Sequence, residues 1–223
     1  RHRVILVRHG ESDANVAFQA TGVGHEGAHA APGLTERGQR QARDIARHIT
    51  GLGAGITRVE VSPQLRAWQT ALPSLAGHSP HIRYDLRERW SKHDGYHVPR
   101  VLAQDGHESD VPFAADGWWR PRESQAEFEA RVAGVVAGWR GAGTVEHREQ
   151  TLVFTHSLFV NQVLCRPGVD FQLSNGSLTL VDFDEHDTMH VHFVNYTEHL
   201  ARCSGHHTAH QGTGRPYRQP SAA

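Results

Sequence analysis

Short apolar runs that alternate with segments of helical periodicity constrain the fold of this chain more than any other feature. Val4–Val7 is a β-branched and aliphatic run between charged residues, typical of a strand buried on both faces of a parallel sheet. A second such run, Thr151–Thr155, lies late in the chain. Because strands that alternate with helices form parallel sheets with right-handed crossovers, we predict an α/β fold, a three-layer α/β/α sandwich with a mostly parallel central sheet.

Further elements of both kinds follow from the same patterns. The predicted strands are Arg58–Ser62, His81–Asp85, Ser177–Phe183 and Met189–Asn195, and the predicted helices run from Thr35 to Gly51, from Leu65 to Leu75, from about Ser124 to Gly141, and from Leu158 to Leu164. The last two strands alternate like antiparallel edge strands joined by an acidic turn. Residues 91–121 have no sustained periodicity, and we expect them to form a long lid.

The length of the chain fits one catalytic domain. Its 223 residues are enough for one α/β domain with a full hydrophobic core, which we place at 1–198. Residues 199–223 are too poor in apolar residues to pack, so we expect a flexible His-rich tail. The tail histidines, His199 among them, could suggest a metal site, but their spacing lacks rigid support and we predict no metal ion. We also predict no cofactor.

The charge balance and hydropathy exclude two classes of partner. Lys+Arg 23 against Asp+Glu 24 give a net charge of -1, so no global basic field would collect nucleic acid or an anionic membrane. No apolar stretch approaches the roughly 20 residues of a spanning helix, and the N-terminus enters strand-like sequence rather than a secretory signal. We therefore expect a cytoplasmic protein that binds neither nucleic acid nor membrane, and a homodimer is compatible with the sequence.

Two histidines follow apolar strands directly. His9 lies in the run Arg8–Ser12 (RHGES) after the first predicted strand, and His156 follows the late strand in the same way. In open α/β sheets ligands bind outside the carboxyl ends of strands. If the two strands are neighbours, both imidazoles face one pocket, together with the N-terminal amides of the helix that begins near Ser157.

Two arginines are expected to reach the same pocket. Arg8 precedes His9, and Arg66 lies one turn into the helix after the second predicted strand. A neutral imidazole is a competent nucleophile toward phosphorus, and guanidinium groups neutralise phosphate oxygens. The pattern therefore predicts phosphoryl chemistry, although a lone histidine after a strand would more often be a hydrogen-bonded core residue.

Five motifs stand in a fixed order along the chain. They are Arg8–Ser12 (RHGES) followed by Asn15, Leu34–Gln39 (LTERGQ), Ser62–Ala71 (SPQLRAWQTA), Leu86–Arg89 (LRER) and Asn175–Ser177 (NGS). Together they resemble the histidine phosphatase superfamily, in its phosphoglycerate mutase-like branch. The resemblance covers nearly everything from Val4 to about Phe183.

The resemblance implies a role for each of these positions. His9 would be the nucleophile that becomes phosphorylated, and Glu88 would protonate the leaving oxygen. The phosphoryl group would be held by Arg8, Asn15, Arg66 and His156, with Ser12 and Ser157 as further phosphate contacts. The substrate would be a small phosphorylated metabolite, hydrolysed without a cofactor through a phosphohistidine.

Other interpretations of single residues stay open at this point. Ser12 and Asn15 could cap the following helix through their side-chain oxygens. Glu88 could form a surface salt bridge with Arg87 or Arg89. The aromatic residues of the lid, Phe113, Trp118 and Trp119 with His107, could stack on a bulky substrate or simply pack the lid onto the sheet.

Three departures from the family's pattern bear on the activity. Ser157 stands where the family usually has glycine, and the Gly-x-x-x-Glu-Gly run that often follows the acid is not recognisable in Trp90–Tyr96. The Tyr-Gly and Leu-Gln-Gly elements of glycolytic mutases are also missing there. The absence of the mutase elements favours a phosphatase, with a phosphomutase of the same fold or a non-catalytic phospholigand-binding protein as the alternatives.

Overall fold

A six-stranded mixed sheet forms the centre of the molecule. The computed structural model describes residues 2–21, 32–52, 55–89, 96–97, 118–119, 123–141, 149–165 and 171–200. Its strands are β1 (His2–Arg8), β2 (Arg58–Val61), β3 (His81–Ile82), β4 (Tyr96–His97), β5 (Trp118–Trp119), β6 (Glu149–Thr155), β7 (Leu178–Phe183) and β8 (Met189–Tyr196). The order across the sheet is β3-β2-β6-β1-β7-β8, while β4 and β5 form a separate antiparallel pair.

Helices cover both faces of this sheet. They are α1 (Asp13–Thr21), α2 (Glu36–Gly51), α3 (Leu65–Ala71), α4 (Gln125–Gly141) and α5 (Ser157–Leu164). Alternate residues of β1 point to opposite faces, so Val4 and Leu6 pack in one core with α4 and α5, while Ile5 and Val7 pack in another with α2 and α3. The prediction of a three-layer α/β/α sandwich is confirmed.

The start of α2 explains one of the sequence motifs. Thr35 caps the helix, since its Oγ1 accepts a hydrogen bond from Gly38 N at 3.1 Å. A Cβ at position 38 would collide with the carbonyl oxygen of Glu11, so only glycine lets the first turn of α2 approach the loop after β1. The backbone N of Thr35 also donates to Glu11 O at 3.0 Å. This contact fixes the loop that carries His9 against α2.

The strand pairing confirms that the centre of the sheet is parallel, and the observed elements differ from the predicted ones in three details. β1, β2 and β3 run parallel to their neighbours on the β6 side, and β7 and β8 are antiparallel as predicted. β7 is not an edge strand, because it pairs with both β1 and β8.

The predicted strand His81–Asp85 ends at Ile82, and a 3-10 turn over Tyr84–Leu86 follows. The predicted helix Leu65–Leu75 ends at Ala71 because Leu72–Ser74, with Pro73, continue as a 3-10 turn.

The packed domain extends past its predicted boundary at residue 198. Glu198–Leu200 form a 3-10 turn, and His199 is only 8% exposed. His199 Nε2 lies 3.0 Å from Gly176 O, and its ring stacks on Tyr196 with 5.6 Å between centroids. The packed structure therefore includes residues 199 and 200 of the predicted tail, 199–223. His199 is held there by a hydrogen bond and ring stacking rather than by aliphatic burial.

Two predicted segments fall mostly outside the residues that the structure describes. Residues 201–223 lie outside them, as does most of the predicted lid at 91–121, including Phe113 and His107. The backbones of β4 and β5 lie within the predicted lid and pair with each other. Within the described segments, no helix has both the length and the apolar character that crossing a bilayer requires.

Candidate active site

The two histidines at the strand ends lie side by side. β1 and β6 are adjacent and parallel, with Arg8 opposite Thr155 in the register, so the next residue of each strand, His9 and His156, reaches the same edge of the sheet. Their ring centroids are 5.2 Å apart and the ring planes are tilted by 56°. Both residues are buried. The structure thus brings together two imidazoles that are far apart in the chain.

His9 is held as a neutral imidazole with its Nε2 lone pair facing the site. Its Nδ1 donates to Gly10 O at 2.7 Å, and Arg66 Nε donates to its Nε2 at 3.1 Å. Because a guanidinium can only donate, Nε2 must be the unprotonated nitrogen. Burial, reinforced by Arg66 and Arg8, lowers the pKa of His9 well below its usual value. Nε2 is therefore the atom that can attack an electrophile.

His156 presents the opposite hydrogen-bonding character. Its Nε2 lies 2.7 Å from Ser62 Oγ, and that oxygen accepts from Gln64 N at 3.4 Å. A Ser62 hydroxyl that accepts from Gln64 N can donate its own proton to Nε2, and that arrangement puts the ring proton on Nδ1. Nδ1 is buried and has no hydrogen-bond partner among the described residues. Burial, with Arg66 next in importance, lowers the pKa of His156 well below its usual value, so the ring is a neutral N–H donor.

Two guanidinium groups supply the positive charge of the site. Arg8 donates through Nη1 to Leu173 O, while its buried Nε has no partner in the described part of the chain. Burial lowers the pKa of Arg8 to about 10, with a contribution from Arg66 that Glu88 opposes. Arg8 therefore stays cationic at neutral pH. Together the two arginines favour an anion beside His9 and His156.

The amide of Asn15 is oriented by three donors on its oxygen. Ser12 N, Ser12 Oγ and Asn175 Nδ2 lie 3.0, 2.9 and 3.0 Å from Asn15 Oδ1. Because the oxygen is fully engaged, the Nδ2 group of Asn15 is the end that faces outward, and Asn15 lines an adjacent cavity. Ser12 is completely buried, and its hydroxyl is used on Asn15. The structure therefore places Ser12 behind Asn15 and not at the predicted phosphate site.

A turn with no predicted role in the site holds the backbone of the loop that carries His9. Gly176 N donates to Arg8 O at 3.1 Å and to His9 O at 3.0 Å. Asn175 Nδ2 lies 3.2 Å from His9 O and 3.4 Å from Gly10 O. Gly176 has φ +74°, which favours glycine, so the Asn-Gly pair is the sequence signal for this turn. The turn fixes the main chain at His9, and Asn175 also lines the adjacent cavity.

The segment Ser62–Ala71 contributes more positioning residues than its arginine alone. Thr70 Oγ1 accepts from Gly10 N at 2.9 Å and donates to Arg66 O at 2.7 Å. Gln64 Oε1 accepts from Glu88 N at 2.9 Å. These hydrogen bonds connect Ser62–Ala71 both to the loop that carries His9 and to the segment that carries Glu88. Thr70 and Gln64 belong to the SPQLRAWQTA motif, but only their contacts reveal what they do.

Glu88 is bound by backbone amides and not by a salt bridge to its neighbour. Its Oε1 accepts from Arg89 N at 2.9 Å, and its Oε2 accepts from Leu158 N at 3.4 Å. Burial raises the pKa of Glu88, although the backbone N–H groups and both site arginines act in the opposite direction. The alternative of a surface pair with Arg87 is wrong, because Arg87 pairs with the buried Glu123 at 2.7 Å.

A cavity of about 450 Å³ lies between Arg8 at the end of β1 and the start of α5. Arg8, Asn15 and Ser157 line it, so three of the predicted phosphate contacts border one space. Ser157 is the first residue of α5, and His156 is its N-cap, which directs the first amides of the helix toward this side. Within the described residues, no group of three or more His, Cys, Asp or Glu side chains is arranged to hold a metal ion.

Comparisons with known proteins agree with this geometry. The sequence model of the histidine phosphatase superfamily (branch 1) matches residues 4–196. The chain is similar to an adenosylcobalamin/alpha-ribazole phosphatase of Salmonella typhi, with 29% identity over 193 residues that cover 82% of this chain and 91% of that protein.

Solved structures show the same fold. A protein of Escherichia coli proposed to be an alpha-ribazole-5'-P phosphatase superposes with a TM-score of 0.61 at 24% identity, covering 88% of this chain and 98% of that one. A phosphoserine phosphatase of Entamoeba histolytica superposes with a TM-score of 0.60 at 21% identity, covering 90% of this chain and 100% of that one. At these identities the likeness supports the architecture alone.

Proposed function

The chain belongs to the histidine phosphatase superfamily, and on that premise we propose that it is a phosphomonoesterase that hydrolyses a small phosphorylated metabolite through a phosphohistidine at His9. The observation that carries the proposal is the hydrogen bond from Arg66 Nε to His9 Nε2, which requires an unprotonated, nucleophilic nitrogen beside two cations. The Salmonella typhi relative is a phosphatase by name, and that name agrees with the proposal.

In the first step Nε2 of His9 attacks phosphorus and the bond from phosphorus to the alcohol oxygen breaks. Arg66 exchanges its hydrogen bond to Nε2 for one to a phosphoryl oxygen, and Arg8, Asn15 Nδ2 and His156 Nδ1–H hold the remaining oxygens. Ser157 is the further contact, through its hydroxyl or the amide that begins α5. Fixed donors of this kind stabilise the transferring group without reorganising, which supplies most of the acceleration in phosphoryl transfer.

Glu88 completes both steps as acid and then as base. The protonated carboxyl gives its proton to the leaving alcohol oxygen, for which burial has raised its pKa. A water molecule then attacks phosphorus in the phosphohistidine, gives a proton to the Glu88 carboxylate, and releases inorganic phosphate. His9 returns to the neutral form and Glu88 to the acid, so no cofactor is required.

The test mixes the enzyme with radiolabelled phenyl phosphate and quenches it rapidly in an alkaline denaturant, because the P–N bond of phosphohistidine hydrolyses in acid. We expect alkali-stable, acid-labile label on His9 within the first turnover, and no label in His9→Asn. In Glu88→Gln, formation of the label should slow by about 10²- to 10⁴-fold with an alkyl phosphate, whose leaving group needs a proton, and by less with an aryl phosphate. The His48→Asn variant is the matched control, because His48 is a histidine outside the site.

Turnover without label on His9 would contradict the mechanism. Activity that depends on an added bisphosphate, with label returned to the product, would establish the phosphomutase alternative. Tight phosphate binding without any turnover would establish the non-catalytic alternative.

A further inference from the structure

The cavity lined by Arg8, Asn15 and Ser157 also borders a residue that holds the proposed acid. Leu158 lines this cavity, and its backbone N donates to Glu88 Oε2 at 3.4 Å. Glu88 must come within hydrogen-bond distance of the leaving oxygen to protonate it. The alcohol part of the substrate therefore starts at the rim of the cavity, next to Leu158.

The walls of the cavity carry exposed apolar side chains. In the described part of the chain the exposed large apolar residues are Val16, Phe18, Leu52, Leu72 and Leu158. Of these, Phe18 on α1 is 57% exposed, Leu158 on α5 is 42% exposed, and both line the cavity. Apolar surface that faces water in a concave site is stabilised when an apolar ligand covers it. Two separate helices thus supply a surface suited to such a ligand.

Some polar groups on the same walls are engaged with described partners. Glu11 pairs with Arg37 at 3.3 Å and accepts from Thr35 Oγ1 at 2.8 Å. Asn161 uses both ends of its amide on the main chain of Phe171, at 3.0 and 3.2 Å. Arg8 and Arg37 also line the cavity, so charge is disfavoured only where a ligand would lie against Phe18 and Leu158. A carboxylate placed there would lose its hydration to apolar side chains, which favours an uncharged group at that contact.

We propose that this cavity binds the alcohol portion of the substrate, and that this portion carries an uncharged, flat apolar ring in contact with Phe18 and Leu158. The inference rests on the proposed function, because it assigns the leaving-group side of the same reaction. A volume of about 450 Å³ lies within the range of pockets for small organic ligands. The ring adds binding in the transition state by covering both side chains, while the phosphoryl group is held at His9.

The test compares three aryl phosphates by kcat/KM. Phenyl phosphate and 2-naphthyl phosphate release phenols of similar acidity, so their ratio reports the second ring and not the leaving ability. We expect the second ring to raise kcat/KM about tenfold, and a carboxylate added to the naphthyl ring to remove that gain. Phe18→Ala and Leu158→Ala should each lower the naphthyl-to-phenyl ratio, and the double variant should bring it close to one.

Leu52→Ala is the matched control, since Leu52 is also exposed but lies at the far end of α2 and should leave the ratio unchanged. A ratio near one in the wild type overturns the proposal, as does a raised ratio that survives the double variant, or faster hydrolysis of the carboxylated ester. In each of those cases the proposed phosphomonoesterase function is not contradicted. If the wild type hydrolyses none of the three esters, the proposed function fails and the inference fails with it.

Discussion

Two pairs of histidine rings lie in this molecule at almost the same spacing. His9 and His156 have their centroids 5.2 Å apart, and His48 and His199 have theirs 5.1 Å apart. Burial is the largest cause of the lowered pKa of three of these rings, well below the usual value for His9 and His156 and to about 4 for His199. Spacing and burial alone therefore do not separate a reactive pair from a supporting one.

The surroundings of the two pairs differ. Arg66 and Arg8 act on both rings of the first pair, Arg66 Nε donates to His9 Nε2, and His156 Nδ1 has no partner among the described residues. In the second pair, His199 lies against the Gly176 carbonyl and the ring of Tyr196. Cations beside neutral imidazoles create a place for an anion, whereas stacked rings hold an imidazole for packing.

The largest effect on kcat/KM is expected when one ring of the first pair is replaced, in contrast to the same substitution in the second pair. His156→Asn should lower kcat/KM for phenyl phosphate by about 10²- to 10³-fold, because a buried donor to the phosphoryl group is lost. His48→Asn should stay within about twofold, since that ring is distant from the arginines. Initial rates, with thermal melting of each variant to verify folding, measure both. Equal losses in the two variants would remove the distinction between the pairs.

An intermediate effect is expected at the turn that lies between the two pairs. Asn175→Asp replaces the Nδ2 donor by an oxygen that faces the carbonyls of His9 and Gly10. We expect kcat to fall about tenfold through misplacement of the nucleophile. Formation of the phosphohistidine should slow by the same factor in the alkaline rapid-quench assay.

Asn195→Asp is the control for this substitution. Asn195 Oδ1 accepts from Ser174 N at 2.7 Å, and aspartate keeps that acceptor and tolerates the φ of 57°. Asn195 Nδ2 donates to Gln172 O at 3.4 Å, so aspartate removes a donor to a main-chain carbonyl here too, but not one that contacts His9. This variant should retain near wild-type kcat. A loss as large as that of Asn175→Asp would show that the effect comes from disturbing the loop and not from the Asn175 donor.

The smallest effect on activity, and a distinct effect on stability, is expected at His199. Its folded pKa of about 4 lies below the usual 6.5, so between these values the unfolded chain binds more protons and stability falls as pH falls. The loss approaches about 1 kcal/mol per pH unit in this window. His199→Gln keeps an N–H donor for Gly176 O but cannot titrate.

Urea unfolding at pH 7, 6 and 5 should therefore show a shallower loss of stability in His199→Gln than in the wild type, with hydrolysis at pH 7 within about twofold. His9→Gln should also flatten the pH dependence of stability, yet abolish hydrolysis. A steeper loss in His199→Gln would contradict the direction of the pKa shift.

The strand ends could be predicted from the sequence because each is marked locally. Val4–Val7 and Thr151–Thr155 are continuous apolar runs, and a charged or histidine residue follows each. Their adjacency in the sheet then explains why His9 and His156 meet. The bounds of elements without such a marker could not be predicted. β3, for example, has only two residues, and two residues show no periodicity.

Residues that act through contacts distant in the chain could not be assigned from local patterns. Asn175 reaches His9 across 166 positions, and its hydrogen-bonded partners are main-chain oxygens that every residue carries. Ser12 looked like a phosphate contact because of its place in the motif, yet its hydroxyl faces Asn15. The burial of His199 depends on ring stacking and on a hydrogen bond to Gly176, which composition does not report.

The hydrogen bonds from Gly176 to Arg8 and His9 also bear on how the molecule is made. A ribosome delivers Asn175 some 166 positions after His9. Until that turn has emerged, nothing clamps the main-chain carbonyls of Arg8 and His9 at the end of β1. The geometry of the candidate site is therefore complete only when the late part of the chain has been made.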